Sequence, residues 1–192
     1  MAATESTMVG LGTAAPDFEL LDVVSDRTVR LDSFTRKGLL VMFLCRHCPY
    51  VNHIGPGLAA LAKDYAGTDL DIVAISSNDA SQYPEDAPAG LRLMARELGF
   101  WFPYCYDETQ QVAKAYQAAC TPDFFLFDAG RKLVYRGQFD DARPNNGAPV
   151  TGRDLRAAID AVIAGRAIGD QQKPSIGCNI KWKPGNATPY HG

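Results

Sequence analysis

Leu39, Leu40, Val41, Met42, Phe43 and Leu44 form an unbroken apolar run that ends directly on Cys45-Arg46-His47-Cys48-Pro49. With no polar alternation, such a run reads as a central strand buried on both faces, and both faces then need a covering layer. Beyond the cysteines, Val51, Ile54, Leu58, Leu61 and Tyr65 recur at steps of three and four, the spacing of one helix face. The chain thus commits to a strand, a Cys-x-x-Cys turn and a helix in immediate succession. Gly55-Pro56-Gly57 interrupts the helix face, and Pro56 predicts a kink near residues 52–56.

The same reading places a second buried strand at 70–75 and a polar loop at 76–88. A helix through Leu91, Met94, Ala95 and Leu98 follows, then a short strand at 102–105 and a helix over 109–118. Strand and helix alternate, as in an α/β sheet. Residues 123–127 and 132–136 flank Asp128-Ala129-Gly130-Arg131, a hairpin signal with Gly130 expected at positive φ. Two short extended pieces at 19–22 and 28–31 precede the central strand. The loop at 140–152, with Asp140, Asp141 and Arg143, is expected to be solvated. Leu155, Ala158, Ile159, Val162 and Ile163 mark a last amphipathic helix. Residues 1–14 lack an apolar period and are expected to form a flexible arm. Ile176, Cys178, Ile180 and Trp182 suggest that the tail at 165–192 docks.

A chain of 192 residues, 46% hydrophobic and 21% charged, has the size of one domain with a real core. Its 19 basic and 22 acidic side chains give a net charge of -3 without a basic run that could follow a phosphate backbone, so nucleic acid is not expected as a partner. No apolar stretch approaches the roughly 20 residues of a membrane span, and the start lacks a signal-peptide pattern, so a soluble, cytoplasmic protein without a membrane partner is expected. Five cysteines, at 45, 48, 105, 120 and 178, are too few and too unevenly spaced for a disulfide scaffold. In a reducing compartment a close Cys-x-x-Cys pair is more often catalytic, redox-sensing or metal-binding.

A strand ending in such a pair, with a helix starting there, is expected to put Cys45 at the helix N-terminus, where the macrodipole favours a thiolate. Cys45 is then the nucleophile. Cys48, one turn on, can resolve the mixed disulfide. Arg46 and His47 are expected to stabilise the thiolate further and bias the pair towards oxidation. Pro49 suits the first helical turn, where its missing N–H is unpaired anyway. A rival reading, a four-thiolate zinc or iron–sulfur site from Cys45, Cys48, Cys120 and Cys178, lacks a second Cys-x-x-Cys, and no metal site is assigned. Nothing points to an organic cofactor.

These residues resemble the peroxiredoxin-like branch of the alkyl hydroperoxide reductase and thiol-specific antioxidant (redoxin) group of the thioredoxin superfamily. The likeness runs over residues 15–183. It is carried by Ala15-Pro16-Asp17-Phe18, by the strand into Cys45-Arg46-His47-Cys48-Pro49-Tyr50 and by Ala74-Ile75-Ser76-Ser77-Asn78-Asp79. Further carriers are Thr121-Pro122-Asp123-Phe124-Phe125-Leu126-Phe127 and the tail Pro174-Ser175-Ile176-Gly177-Cys178-Asn179-Ile180-Lys181-Trp182-Lys183. The resemblance implies an α/β thioredoxin-like fold over 15–164, a central mixed β-sheet flanked by helices. It implies Thr121-Pro122 as a cis-proline loop facing the cysteine pair, with Thr121 as a substrate contact.

Two positions depart from the parent families. Peroxiredoxins carry a Thr three residues before their peroxidatic Cys; here Met42 stands three before Cys45, and Cys45 stands three before Cys48. Thioredoxins carry a buried Asp six residues before the first Cys; here that residue is Leu39. The first expectation is therefore a thiol-disulfide oxidoreductase, with a thiol-dependent peroxidase as the alternative and a metal-binding or redox-sensing module as the third reading. Expected partners are a protein or small-molecule disulfide or a hydroperoxide, and a thiol donor such as a thioredoxin or glutathione system. Cys120 and Cys178 are further redox candidates, and Cys105 reads as structural. Oligomeric state is not legible.

Overall fold

In the computed structural model, which describes residues 3–190, ten strands and four helices follow one another along the chain. They are β1 (Ala3–Glu5), β2 (Glu19–Asp22), β3 (Thr28–Arg30), β4 (Gly38–Phe43), α1 (Pro49–Asp64), β5 (Leu70–Ser76) and α2 (Pro88–Glu97). Then come β6 (Tyr104–Tyr106), α3 (Gln111–Tyr116), β7 (Cys120–Thr121), β8 (Asp123–Phe127), β9 (Leu133–Tyr135), α4 (Arg153–Ile163) and β10 (Ile176–Asn179). Seven strands form the main sheet in the order β3-β2-β6-β5-β4-β8-β9; β4 runs parallel to β5 and antiparallel to β8. A second sheet, β1-β10-β7, is wholly antiparallel.

Every residue of β4 is buried. Strand periodicity divides its side chains between two cores. Leu40 and Met42, with Leu44 beyond them, face α1, α2 and α4 through Val51, Ile54, Leu58, Leu91, Met94, Leu155 and Ile159. Leu39, Val41 and Phe43 face α3, where Tyr116 packs edge-on against Phe125 and Phe127. This is the thioredoxin-like fold, a mixed sheet flanked by helices.

Three expectations change, those for the arm, the β8–β9 turn and the loop at 140–152. The arm is not loose where it is described: Ala3, Thr4 and Glu5 pair with Cys178, Gly177 and Ile176, a contact too distant in sequence to leave a local pattern. Helix α1 runs through Pro56 without interruption. Gly57 there serves a close approach, since a Cβ would meet Val150 Cγ1 at 2.6 Å and Phe139 Cε1 at 2.9 Å. In the β8–β9 turn it is Arg131, at φ 55°, that takes the left-handed conformation, held by its guanidinium donating to the Phe34, Arg36 and Asp128 carbonyls. Asp140 is buried, not solvated; its carboxylate accepts the N–H groups of Ala142, Thr151 and Gly152 and so fixes the loop leading into α4.

Asp123, at the start of β8, is fully buried, and its Oδ1 has no hydrogen-bond partner. Burial pushes its carboxyl up from 3.8 to about 7. The folded protein therefore keeps a proton that the unfolded chain releases between these values. Stability from this group is complete below pH ~4 and is lost as pH rises through ~7. Asp123→Asn is expected to gain stability over the wild type as pH rises from 4 to 8, by on the order of 2–4 kcal/mol in urea unfolding. A difference independent of pH would refute the assignment.

Candidate active site

The buried end of β4 delivers Cys45, and Cys48 becomes the N-cap of α1, with Pro49 in the first turn. This corrects the expected placement: the residue at the helix N-terminus is Cys48, and Cys45 lies three residues before it. The Thr121–Pro122 peptide is cis, and Thr121 meets both sulfurs. Its Oγ1 is 3.2 Å from Cys45 Sγ, and its carbonyl oxygen is 3.1 Å from Cys48 Sγ. Both cysteines are completely buried.

Burial pushes the Cys45 thiol well up, Cys48 and the Asp86 charge add to this, and only the Thr121 hydroxyl opposes it. An easily ionised Cys45 is thus not a property of this closed site. The anion is favoured on Cys48, through interaction with the Cys178 and Cys45 thiols. The Val51 N–H in the first turn of α1 helps without closing a capping hydrogen bond. Burial pulls the other way and is outweighed, the Thr121 side chain adding to the lowering.

The carboxylate that organises the turn went unrecognised in the sequence. Asp86, in a short 3-10 turn at Pro84–Asp86, is completely buried. Its Oδ1 accepts the Arg46 N–H at 2.7 Å and the His47 N–H at 3.1 Å. Its Oδ2 accepts His47 Nδ1–H at 2.5 Å and Asn78 Nδ2–H at 2.8 Å. Burial alone would push this carboxyl up, but the hydrogen bonds from His47 and Asn78 outweigh it and hold it below its ordinary value. Asp86 reads in sequence as one acid among several in a polar loop; only the fold selects it.

His47 therefore faces a carboxylate, stacks on Tyr83 with ring centroids 4.6 Å apart, and leaves its buried Nε2 without a partner. One of its ring nitrogens, Cys45 Sγ and an Asp86 oxygen lie within 4.8 Å of one another. With its four donors Asp86 has no oxygen to spare, so the trio suits a proton relay better than a metal. Arg46 does not serve the thiolate: its guanidinium reaches away to Glu97 at 2.9 Å and to the Gly90 carbonyl.

Of the other cysteines, Cys178 is brought to the pair, in register opposite Thr121. Its thiol is pushed up by Cys48 and by burial. Cys120 turns its sulfur to the Pro122 carbonyl, 3.5 Å away, and burial pushes it up. Cys105 is buried in β6 and pushed up to about 12 by burial. Among the described residues the four sulfurs of the metal reading do not converge as a ligand set.

A cis-proline loop touching both sulfurs of a Cys-x-x-Cys at a strand–helix junction defines a thioredoxin-superfamily redox protein. Residues 11–136 match the model of the AhpC/TSA family, and the chain belongs to that family; it is an oxidoreductase of the redoxin group. It is 30% identical over 137 residues to the thiol-disulfide oxidoreductase ResA of Geobacillus thermodenitrificans, a match covering 68% of this chain and 70% of that one. A crystal structure of an uncharacterized conserved protein from Geobacillus kaustophilus aligns with TM-score 0.93 and 56% identity over 96% of this chain and 98% of that chain. A thiol:disulfide interchange protein of the thioredoxin family from Chlorobium tepidum shares the fold, with TM-score 0.61 and 16% identity over 80% of this chain and 98% of that one.

Replacing Asp86 by Ala strands two backbone N–H groups, the His47 ring and Asn78 together. The variant is expected to lose about 3 kcal/mol of unfolding free energy in a urea titration. A loss below about 1 kcal/mol would show that water can replace the carboxylate.

Proposed function

We propose that the protein is a thiol-disulfide oxidoreductase in which Cys45 and Cys48 pass between dithiol and disulfide. The observation that carries this reading is the double contact of Thr121 with both sulfurs beside a cis-proline. The likeness to ResA supports it.

Once the site opens, Cys45 gives its proton to the His47 imidazole, which has a ring nitrogen within 4.8 Å of Cys45 Sγ and is held by Asp86. The thiolate attacks a substrate disulfide R–S–S–R′. A Cys45–S–R bond forms and R′S⁻ leaves. Cys48, the sulfur on which the anion is favoured, attacks Cys45 Sγ; the Cys45–Cys48 bond forms and RS⁻ leaves. The substrate gains two electrons and the protein loses two. A thiol donor, of the thioredoxin or glutathione kind, reverses these steps. The imidazole stands in for the buried Asp of thioredoxins, whose place Leu39 takes. We place this cycle in a reducing, cytoplasmic setting.

A second reading, hydroperoxide reduction, is favoured by one contact. Met42 has no hydroxyl to offer, but Thr121 Oγ1 sits 3.2 Å from Cys45 Sγ, where it could hold a peroxide oxygen. The Cys45 thiolate would attack one peroxide oxygen, breaking the O–O bond to give a sulfenic acid and release the other oxygen as alcohol or water; Cys48 would then displace the sulfenic oxygen as water to give the same disulfide.

Glutathione disulfide and hydrogen peroxide, supplied separately to the reduced protein, distinguish the two. With the disulfide, Cys48→Ser is expected to trap glutathione on Cys45, seen by mass spectrometry, whereas Cys45→Ser traps none there and reacts at least tenfold more slowly. Trapping on Cys48 alone would reverse the order of attack. Fast reaction with peroxide and none with the disulfide would install the peroxidase reading.

A further inference from the structure

The edge of the cis-proline segment, the position where a thioredoxin-like protein receives a substrate strand, is already taken. Strand β10 lies antiparallel along it, with Cys178 opposite Thr121 and Asn179 opposite Cys120, and Ile180 N–H donates to the Ala119 carbonyl at 3.1 Å. The approach is as close as backbone allows. A Cβ on Gly177 would stand 2.0 Å from the Thr121 carbonyl oxygen and 3.1 Å from Pro122 Cδ, so only glycine fits. The far edge of β10 is paired with β1. Past the strand, Lys181 N–H donates to Asn78 Oδ1, the residue whose amide also donates to Asp86, and Gln110 Nε2 donates to the Lys181 carbonyl. The segment that covers the cysteines is thus tied to the carboxylate that organises them.

The register selects one side chain of this strand. Cys178 stands across from the residue whose two oxygens contact Cys45 and Cys48, and it is buried in the same core cluster as both. We propose that β10 is an internal substrate strand and that Cys178 is a third redox thiol, which exchanges with the disulfide of the Cys45–Cys48 pair.

The step conserves oxidation level. Cys178, as thiolate, attacks Sγ of Cys48 in the Cys45–Cys48 disulfide; the Cys48–Cys178 bond forms, the Cys45–Cys48 bond breaks, and Cys45 leaves as thiolate, taking the proton that Cys178 gave up. Lys181, three residues on and past the end of the strand, favours the Cys178 anion. The oxidising equivalent then lies on the tail, and Cys45 is released for a further reaction. Because both site sulfurs are buried and β10 occupies the Thr121 edge, an outside substrate strand pairs there only when β10 lifts from Thr121.

This inference rests on the proposed exchange chemistry, and one experiment separates the two. Reduced protein is given one equivalent of glutathione disulfide, quenched in acid, alkylated and mapped by mass spectrometry. The wild type is expected to show both Cys45–Cys48 and Cys48–Cys178 linkages, and Cys45→Ser to convert almost wholly to Cys48–Cys178 with release of two glutathione molecules. If the wild type forms Cys45–Cys48 while Cys178 stays a free thiol in both proteins, the third thiol is refuted and the oxidoreductase stands. If the wild type forms neither linkage, the oxidoreductase reading fails with it. Gly177→Ala, shown to be folded by near-ultraviolet circular dichroism, is expected to lose the Cys48–Cys178 linkage and to alkylate at Cys48 about tenfold faster. Unchanged alkylation there would overturn the covering role of β10.

Discussion

The double burial of β4 is the constraint from which the rest follows. A strand packed against three helices on one face and an aromatic cluster on the other cannot shift along its axis without moving every side chain into the wrong core. Its end is therefore fixed, and Cys45 with it. Strand β8, antiparallel beside β4, is fixed by the same packing and leads back to the cis-proline through Asp123. The two walls of the site, the Cys-x-x-Cys turn after β4 and the Thr121 segment before β8, thus flank neighbouring strands of the main sheet.

Within that frame two carboxylates take opposite parts. Asp86 is buried with four donors and stays charged, so that it can hold the backbone of Arg46 and His47 and orient the imidazole. Asp123 is buried with an oxygen unpartnered, and its proton is retained to about neutral pH. The difference is the hydrogen-bond supply, not the depth. At the thiols, burial above all, then Cys48 and the Asp86 charge, discourage an anion on Cys45, and it is favoured on Cys48, which has two thiols and the first turn of α1 around it.

The architecture was legible because it rests on local patterns. The apolar run at 39–44, the helix face from Val51 to Tyr65 and the period from Leu155 to Ile163 each became the expected element. Thr121-Pro122 was found through a resemblance, and the structure has it cis beside the sulfurs. Three parts of the site were read wrongly or missed. Arg46 was expected at the thiolate, but a long side chain follows its nearest carboxylate, Glu97. Asp86 was not recognised, since nothing local separates it from Glu85. The helix start fell at Pro49 and not at Cys45, which moved the N-terminal field by one turn.

What the sequence by itself determined is the order of strand, cysteines and helix, and with it the chemical class of the site; these are set by side-chain periodicity and by the reactivity of two thiols one turn apart. Only the tertiary structure decided which carboxylate meets His47, which thiol favours the anion, and that β10 pairs with the Thr121 segment that contacts both cysteines. The reason is distance along the chain. The contacts of Asp86 with His47, of Thr121 with Cys45 and of Ala3 with Cys178 join residues that no local pattern relates, and each exists only because the two sheets and their loops bring distant segments together.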